Sequence, residues 1–302
     1  MPAPKLIAVL GVTGAGKSTF INKAAGSSLG VGHGIDPCTQ AIALADVMID
    51  GTQVCLIDTP GFDDLERTDA DILRLIAKWL AATYDEGTFL TGIILLQPIT
   101  GNRAYGSEAG RTRLFRKICG EKAFDHVVIA STMWDDLKDK SQGENTVEER
   151  VNSGDFWANM VDNGAMVVNH QNNTTSARSI IRKLMNKKEV ILQMQDELDK
   201  NNGRLQYTSA AQQLDSDLGR ASAKEWERLN DVLQELRTAR CDGVALQEEL
   251  AQLKDKLKQL KQQRATIQTA NHKGRKVALG VGGAGVGAGI ATGALLLACV
   301  VM

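Results

Sequence analysis

The chain has 302 residues, with 35 Lys and Arg against 36 Asp and Glu and a formal net charge of −1, which excludes a global electrostatic pull toward nucleic acid. With 43% hydrophobic residues it can bury at least one full core, while 4% aromatic content and abundant Leu, Ala, Lys, Glu and Gln read as a globular domain plus a long helical portion. Five cysteines (Cys38, Cys55, Cys119, Cys241 and Cys299) are scattered, with no C-x-x-C pair and no His at metal-ligand spacing, which argues against a disulfide framework or a zinc site and for a reducing compartment.

The first expected element is a strand, Leu6–Leu10, with no signal or transit peptide ahead of it, so synthesis and folding in the cytosol are expected. It runs into Gly11-Val12-Thr13-Gly14-Ala15-Gly16-Lys17-Ser18, a complete G-x-x-x-x-G-K-[ST], followed by a helix over Lys17–Ala25. Glycines let the backbone curl so that successive N–H groups, from Thr13, Gly14, Ala15 and Gly16 through Ser18 and Thr19, converge on a β-phosphate at the helix N-terminus. Lys17 reaches the β and γ oxygens in this reading, and the Ser18 hydroxyl ligates Mg²⁺.

The next loop, Gly30–Gln40, is glycine-rich and polar and ends in Asp36-Pro37-Cys38-Thr39. Thr39 directly precedes the second strand and is the choice for a hydroxyl that completes the Mg²⁺ shell when triphosphate is bound. Strands over Ala41–Ile49 and Val54–Ile57 are joined by Asp50-Gly51, a strong hairpin signal, so this pair is expected to be antiparallel in an otherwise parallel sheet. The third strand ends in Asp58, followed by Thr59-Pro60-Gly61. An acid at the mouth of the site can hold a magnesium-bound water, and the Gly61 N–H can sense a γ-phosphate, which makes a switch segment.

Helices are expected over Asp69–Ala82, Ser107–Cys119, Thr146–Asn163 and from near Thr175, alternating with strands at Gly92–Gln97, His126–Ala130 and Ala165–Asn169. Trp79, Trp157 and Trp226 sit at helical spacings and read as packing residues. Asn102-Arg103 follows the fourth strand, where it would face either the nucleotide or a partner, and in the second case Arg103 would act in trans as an arginine finger. After the fifth strand comes Ser131-Thr132-Met133-Trp134-Asp135-Asp136-Leu137. A carboxylate just past a strand end can accept both the N1–H and N2–H of guanine, a donor pair adenine lacks, so Asp135 predicts GTP over ATP.

From about Asn186 to Asn271 the composition is that of helix, with no Pro and few β-branched clusters. Leu246, Leu250, Leu253, Leu257, Leu260, a skipped position at Arg264 and then Ile267 give the alternation of a coiled-coil seam. The same residues would also suit an amphipathic helix lying on the globular domain, and Gly203, Gly219 and Gly243 allow a bent or antiparallel arrangement. Val277 to Met302 is 26 residues without a charge, seven of them glycine. As a helix it would span about 39 Å, enough for a hydrocarbon core of about 30 Å. Gly285, Gly289 and Gly293 form a small-residue stripe, and His272, Lys273, Arg275 and Lys276 stand just before it, as a cytosolic-side anchor would have them.

With these motifs in order, the chain resembles the septin-like GTPases of the translation-factor-related P-loop class, most closely the AIG1/GIMAP type and its fungal relatives. Beside the motifs above, Gly106-Ser107, Leu114 through Gly120 and Val127 through Asp135 carry that likeness. It covers about residues 5–185. The resemblance implies guanine-nucleotide binding, Mg²⁺ dependence and dimerisation across the nucleotide face. Two positions depart from the pattern. Met133 stands where a base-covering lysine is usual, leaving Thr132 and Asp135 to carry selectivity. Phe62 stands where many GTPases hold a water-orienting glutamine, so intrinsic hydrolysis is expected to be slow. The fifth motif falls in Val167–Asn173, with Asn173 favoured as the amide beside the base.

The resulting expectation is an α/β P-loop NTPase three-layer sandwich over residues 1–185, its sheet mostly parallel with one antiparallel strand. A helical or coiled-coil stalk over 186–271 and a basic flank with a hydrophobic helical tail over 272–302 would follow. Lys17, Thr39 and Gly61 are the expected catalytic residues, with Ser18, Thr39 and Asp58 at the metal. The protein is expected to be a cytosol-facing, membrane-anchored GTP/GDP switch, homodimeric through the G domain and the coiled coil, with no nucleic-acid partner. The alternatives are an interaction scaffold with negligible turnover, a P-loop ATP binder, or a nucleotide kinase, for which an Arg-rich lid is wanting.

Overall fold

The computed structural model of the chain describes residues 4–26, 43–62, 66–100, 105–238 and 243–272. Among them six strands form one sheet: β1 (Lys5–Gly11), β2 (Ala43–Ile49), β3 (Thr52–Asp58), β4 (Gly92–Pro98), β5 (Val127–Thr132) and β6 (Met166–Asn169), in the order β2-β3-β1-β4-β5-β6. Every pairing is parallel except β2 with β3. That hairpin turns at Asp50 and Gly51, both at positive φ (50° and 78°), the turn whose twist matches that of the strands it joins. Asp50 is also held by Arg182, whose guanidinium donates at 2.7 and 2.8 Å and lowers the Asp50 pKa.

Apolar runs such as Ile7-Ala8-Val9-Leu10 are buried throughout because helices cover both faces of the sheet. On one face, α1 (Lys17–Ala25) and α6 (Thr174–Met185) bring Phe20, Ile21, Ile180 and Leu184 onto Ile7, Val9, Ile94 and Val128. On the other, α2 (Asp69–Asp85) and α3 (Tyr105–Cys119) bring Ile72, Leu73, Leu114 and Ile118 onto Ala8, Leu10, Ile93 and Ile129. This is the expected three-layer sandwich.

One expected helix is broken. In place of Thr146–Asn163 there are α4 (Lys140–Asn152) and α5 (Ala158–Asp162). Ser153-Gly154-Asp155 between them is turn chemistry, and the turn drives Phe156 and Trp157 into the core at 2% and 0% exposure. The Gly154 carbonyl accepts from Arg116 at 2.9 Å, which fixes the break. Trp226, expected to pack, is instead 55% exposed.

Past residue 186 come α7 (Gln193–Lys200), α8 (Ser209–Thr238) and α9 (Val244–Thr269). Helices α8 and α9 form an antiparallel pair, as the matched ion pairs Asp215–Arg264 (2.8 Å), Glu225–Lys256 (2.5 Å) and Arg228–Glu249 (2.7 Å) show. The leucine seam of α9 is divided between two cores. Leu253 packs on Leu229 and Val232 of α8. Leu260 and Ile267, a turn or more further on, share the core that contains α2, α3 and Leu192, Met194 and Leu198 around α7. Arg264 interrupts the seam because it reaches across to Asp215. The end of α9 is closed by Leu205 N–H donating to the Ala270 carbonyl (3.1 Å) and His272 N–H donating to Gly203 (2.7 Å). No described helix is long and apolar enough to cross a membrane. The expected tail helix over Val277–Met302 lies outside the described residues.

Ile267 is 1% exposed in the shared core, so Ile267→Ala is expected to cost about 2–5 kcal/mol. Calorimetry should show one transition lowered by roughly 5–15 °C. Loss of a separate early transition with the main one unmoved would show that α9 unfolds independently of the sheet.

Candidate functional site

Parallel register brings the carboxyl ends of the central strands to one edge, with Val9 opposite Asp58, Gly11 opposite Leu96, Gln97 opposite Ser131 and Ser131 opposite Asn169. Each loop of chemical interest leaves from that edge. The first, residues 11–16, ends with Gly16 in the left-handed region at φ 91°, serving as the N-cap of α1. A side chain there would be strained, and with no capping side chain the helix opens toward the loop with its dipole uncapped. Backbone N–H groups at a helix N-terminus of this shape suit a phosphate.

Lys17 folds back, its ammonium donating to the carbonyls of Gly11 (3.2 Å) and Val12 (3.0 Å). Ser18 Oγ donates to Asp58 Oδ2 at 2.8 Å. Burial raises the Asp58 pKa, with the Ser18 hydrogen bond and the charge of Lys17 pulling the other way. These two hard oxygen donors fit Mg²⁺, whose octahedral shell at about 2.0–2.1 Å puts neighbouring ligands at a comparable separation.

The segment after β3 is docked on the loop. Thr59 is buried and donates its hydroxyl to the Val9 carbonyl at 2.9 Å. Thr13 N–H donates to the Phe62 carbonyl at 2.9 Å, and Thr13 Oγ1 lies 3.5 Å from the Gly61 carbonyl. Gly61 must be glycine here: a Cβ would stand 2.5 Å from Thr13 N and 2.6 Å from Lys17 Nζ. Phe62 turns its ring into the core at 6% exposure, so it faces α2 and not the phosphate loop.

At the end of β5, Thr132 is buried and its hydroxyl donates to the Ala15 carbonyl at 3.1 Å. Its side chain therefore braces the phosphate loop. Met133 follows at φ 67°, its Cε 3.9 Å from the Cβ position of Gly16. Asp135 is exposed in the short 3-10 turn Trp134–Asp136. After β6, His170 is buried, its ring edge-on to Phe20 of α1 at 5.1 Å, with Nδ1 3.0 Å from Ser176 Oγ. Burial, and after it the charge of Lys23, lowers the His170 pKa. Asn173 is the N-cap of α6, its Oδ1 accepting from Ser176 N–H at 2.8 Å.

The structure thus gathers Gly11 to Thr19, Asp58, Gly61, Thr132 and Asp135 on one edge, and gives Asn173 a helix-capping duty. Thr39, Asn102 and Arg103 lie outside the described residues. Sequence reasoning missed Ser131, Trp134 and Asn169, which join the turns after β5 and β6 through hydrogen bonds of 2.9–3.1 Å. The register of Ser131 with Asn169 is the signal that finds them, and it requires the strand pairing.

Sheet, phosphate loop and paired oxygens define a P-loop nucleotide-binding protein of the G-domain kind. The chain belongs to the AIG1 family, whose model matches residues 5–220. Among solved structures it is similar to Toc33 from Arabidopsis thaliana in complex with Mg²⁺ and GMPPNP, at 15% identity over 63% of this chain and 88% of that one, TM-score 0.49. It is also similar to the cytosolic domain of the T. maritima FeoB iron transporter in a GDP form, at 15% identity over 88% of this chain and 96% of that one, TM-score 0.41. Both are distant likenesses.

The raised Asp58 pKa means that the folded protein holds this proton more tightly than the unfolded chain does. Its contribution to stability therefore falls as pH rises through the window just above the ordinary carboxylate range. Asp58→Asn is expected to melt above the wild type at pH 7, with the difference closing on acidification. A variant that melts lower at pH 7 would show that the ionised carboxylate is a net stabiliser.

Proposed function

We propose that the protein binds GTP and GDP with Mg²⁺, hydrolyses GTP slowly, and uses the nucleotide state to switch dimerisation of its G domain at a membrane. The observation that carries the nucleotide reading is the hydrogen bond from Thr132 to Ala15, which fixes the Asp135 turn against the phosphate loop. One ligand with a guanine at one end and phosphates at the other matches both. Asp135 accepts the two guanine N–H groups in this reading, Met133 covers the base in place of a lysine, and the residue 11–19 loop holds the phosphates. Ser18 and Asp58 hold Mg²⁺, directly or through water, and Mg²⁺ would supply charge neutralisation between the β- and γ-phosphates. Thr39 completes the shell and Asn173 borders the base.

Gly61, docked against Thr13 and Lys17, is the natural sensor of a γ-phosphate. The proposed dimer uses the nucleotide face, with Arg103 as a group offered to the partner. The leucine seam of α9 is already engaged within the protein, which disfavours a coiled-coil dimer along it. The proposed anchor is the uncharged tail from Val277 with its basic flank. A second reading, a nucleotide-gated scaffold without turnover, is favoured by the buried ring of Phe62.

Calorimetric titration with GTP, GDP and ATP in Mg²⁺ tests the first claim. GTP and GDP are expected to bind at least tenfold more tightly than ATP, and Asp135→Ala to lose roughly 10²-fold in GTP affinity with ATP unchanged. Equal binding of ATP would reduce the site to a generic P-loop nucleotide binder. Single-turnover hydrolysis is expected on the order of 10⁻³ s⁻¹ or below for the monomer. Acceleration with protein concentration would support the dimeric GTPase, and no product at any concentration would favour the scaffold.

A further inference from the structure

The turn that carries Asp135 is held by a tryptophan whose role neither the nucleotide loop nor the core explains. Ser131 is fully buried at the end of β5, one residue before the Thr132 brace. Its carbonyl accepts from Trp134 Nε1–H at 3.1 Å and from His170 N–H at 2.8 Å. Its hydroxyl oxygen lies 3.0 Å from the same indole N–H, 2.9 Å from Asn169 Oδ1 and 3.2 Å from the Val168 carbonyl. A hydroxyl accepts and donates at once, so one side chain links the turn after β5 to the turn after β6.

The indole has a prepared seat. A Cβ at Gly143 of α4 would stand 2.7 Å from Ile99 Cδ1 and Leu137 Cδ1 and 2.8 Å from Trp134 Cζ3, so the ring is one of three side chains packed closely over this glycine. Lys140, one turn earlier, hydrogen-bonds to the Trp134 carbonyl. Met133 sits at φ 67°, a conformation costly for a residue with a side chain and kept only where its surroundings dictate it. That kink sends the Trp134 ring inward while Asp135, next in the chain, stays exposed.

We propose that Ser131, Trp134 and Asn169 form a positioning unit that locks the two turns flanking the base and aims the Asp135 carboxylate at guanine. The unit deepens the guanine-nucleotide reading above and rests on it. With methionine in place of a base-covering lysine, selectivity falls to the direction of one carboxylate, and the indole N–H sets that direction. None of the three residues need touch the nucleotide.

The test is calorimetry on the full chain with GTP, ATP and inorganic tripolyphosphate in Mg²⁺. Trp134→Phe keeps a ring on Gly143 and deletes the N–H. It is expected to weaken GTP about five- to tenfold while ATP and tripolyphosphate are unchanged, so the GTP-to-ATP ratio shrinks by that factor. Asn169 is exposed, so Asn169→Ala keeps the fold and should shift the ratio the same way; it decides the matter if Trp134→Phe does not fold. Ser131→Ala combined with Trp134→Phe should lose less than the two single losses together. An unchanged ratio in the variants of a GTP-selective wild type overturns the positioning role alone, as does an equal loss of tripolyphosphate affinity. A wild type that binds GTP and ATP alike overturns the guanine reading and the unit with it.

Discussion

The loop between β1 and α1 is made of backbone, and backbone cannot hold a phosphate-shaped curve without outside support. Three contacts from distant parts of the chain supply it: Thr132 Oγ1 on the Ala15 carbonyl, Thr13 N–H on the Phe62 carbonyl, and Thr59 Oγ1 on the Val9 carbonyl at the root of the loop. Lys17 closes the inside by binding the carbonyls of Gly11 and Val12. The sheet order follows from the same need. With β3 on one side of β1 and β4 then β5 on the other, the two bracing loops reach the phosphate loop from opposite sides.

The brace from Phe62 ties the loop to the rest of the molecule. Its carbonyl serves the phosphate loop while its ring packs in the layer that contains α2. Helix α2 begins just after, capped by Thr68, whose hydroxyl accepts from Asp71 N–H at 3.2 Å. Gln195 of α7 reaches the Leu80 carbonyl and the Thr83 hydroxyl of α2, both at 3.4 Å, and Ile267 of α9 shares the same core. The helices after residue 186 are thus packed on the element that the segment after β3 leads into. Their ion pairs mark the register of the hairpin, and the more exposed of them, Arg228–Glu249, contributes little to its stability because such pairs are well screened in water.

Local chemistry made most of the sandwich readable. The alternation of apolar runs, the Asp50-Gly51 turn and the residue 11–18 loop are each set by neighbours in sequence, and each took the expected form. The helix expected over Thr146–Asn163 failed because its apolar spacing outweighed the Ser153-Gly154-Asp155 turn, whose benefit, burial of Phe156 and Trp157, lies in tertiary contact. The leucine seam gave the helix and not its partner, since Leu253 and Leu260 have the same local pattern and different neighbours. At the site, motif residues were readable by spacing. Ser131, Trp134 and Asn169 were not, since their link depends on which strands pair, and the Phe62 brace is a backbone carbonyl that any residue could present.

Met133 and Phe62 each put an apolar side chain where a polar one is usual, and the structure uses them differently. Met133 lies against the phosphate-loop glycine, where the flexible thioether can cover a base as the methylenes of a lysine would. What the substitution removes is the ammonium, not the packing surface. Phe62 keeps nothing of what a glutamine would offer, because its ring is in the core and only its carbonyl meets the loop. Replacing it with glutamine would bury an amide in that apolar core, a cost that hydrolysis alone would have to justify. On the proposed reading, the features that bind a nucleotide survive both departures while the one that orients water does not. Occupancy of the site, more than turnover in an isolated chain, is then what its geometry is built to serve.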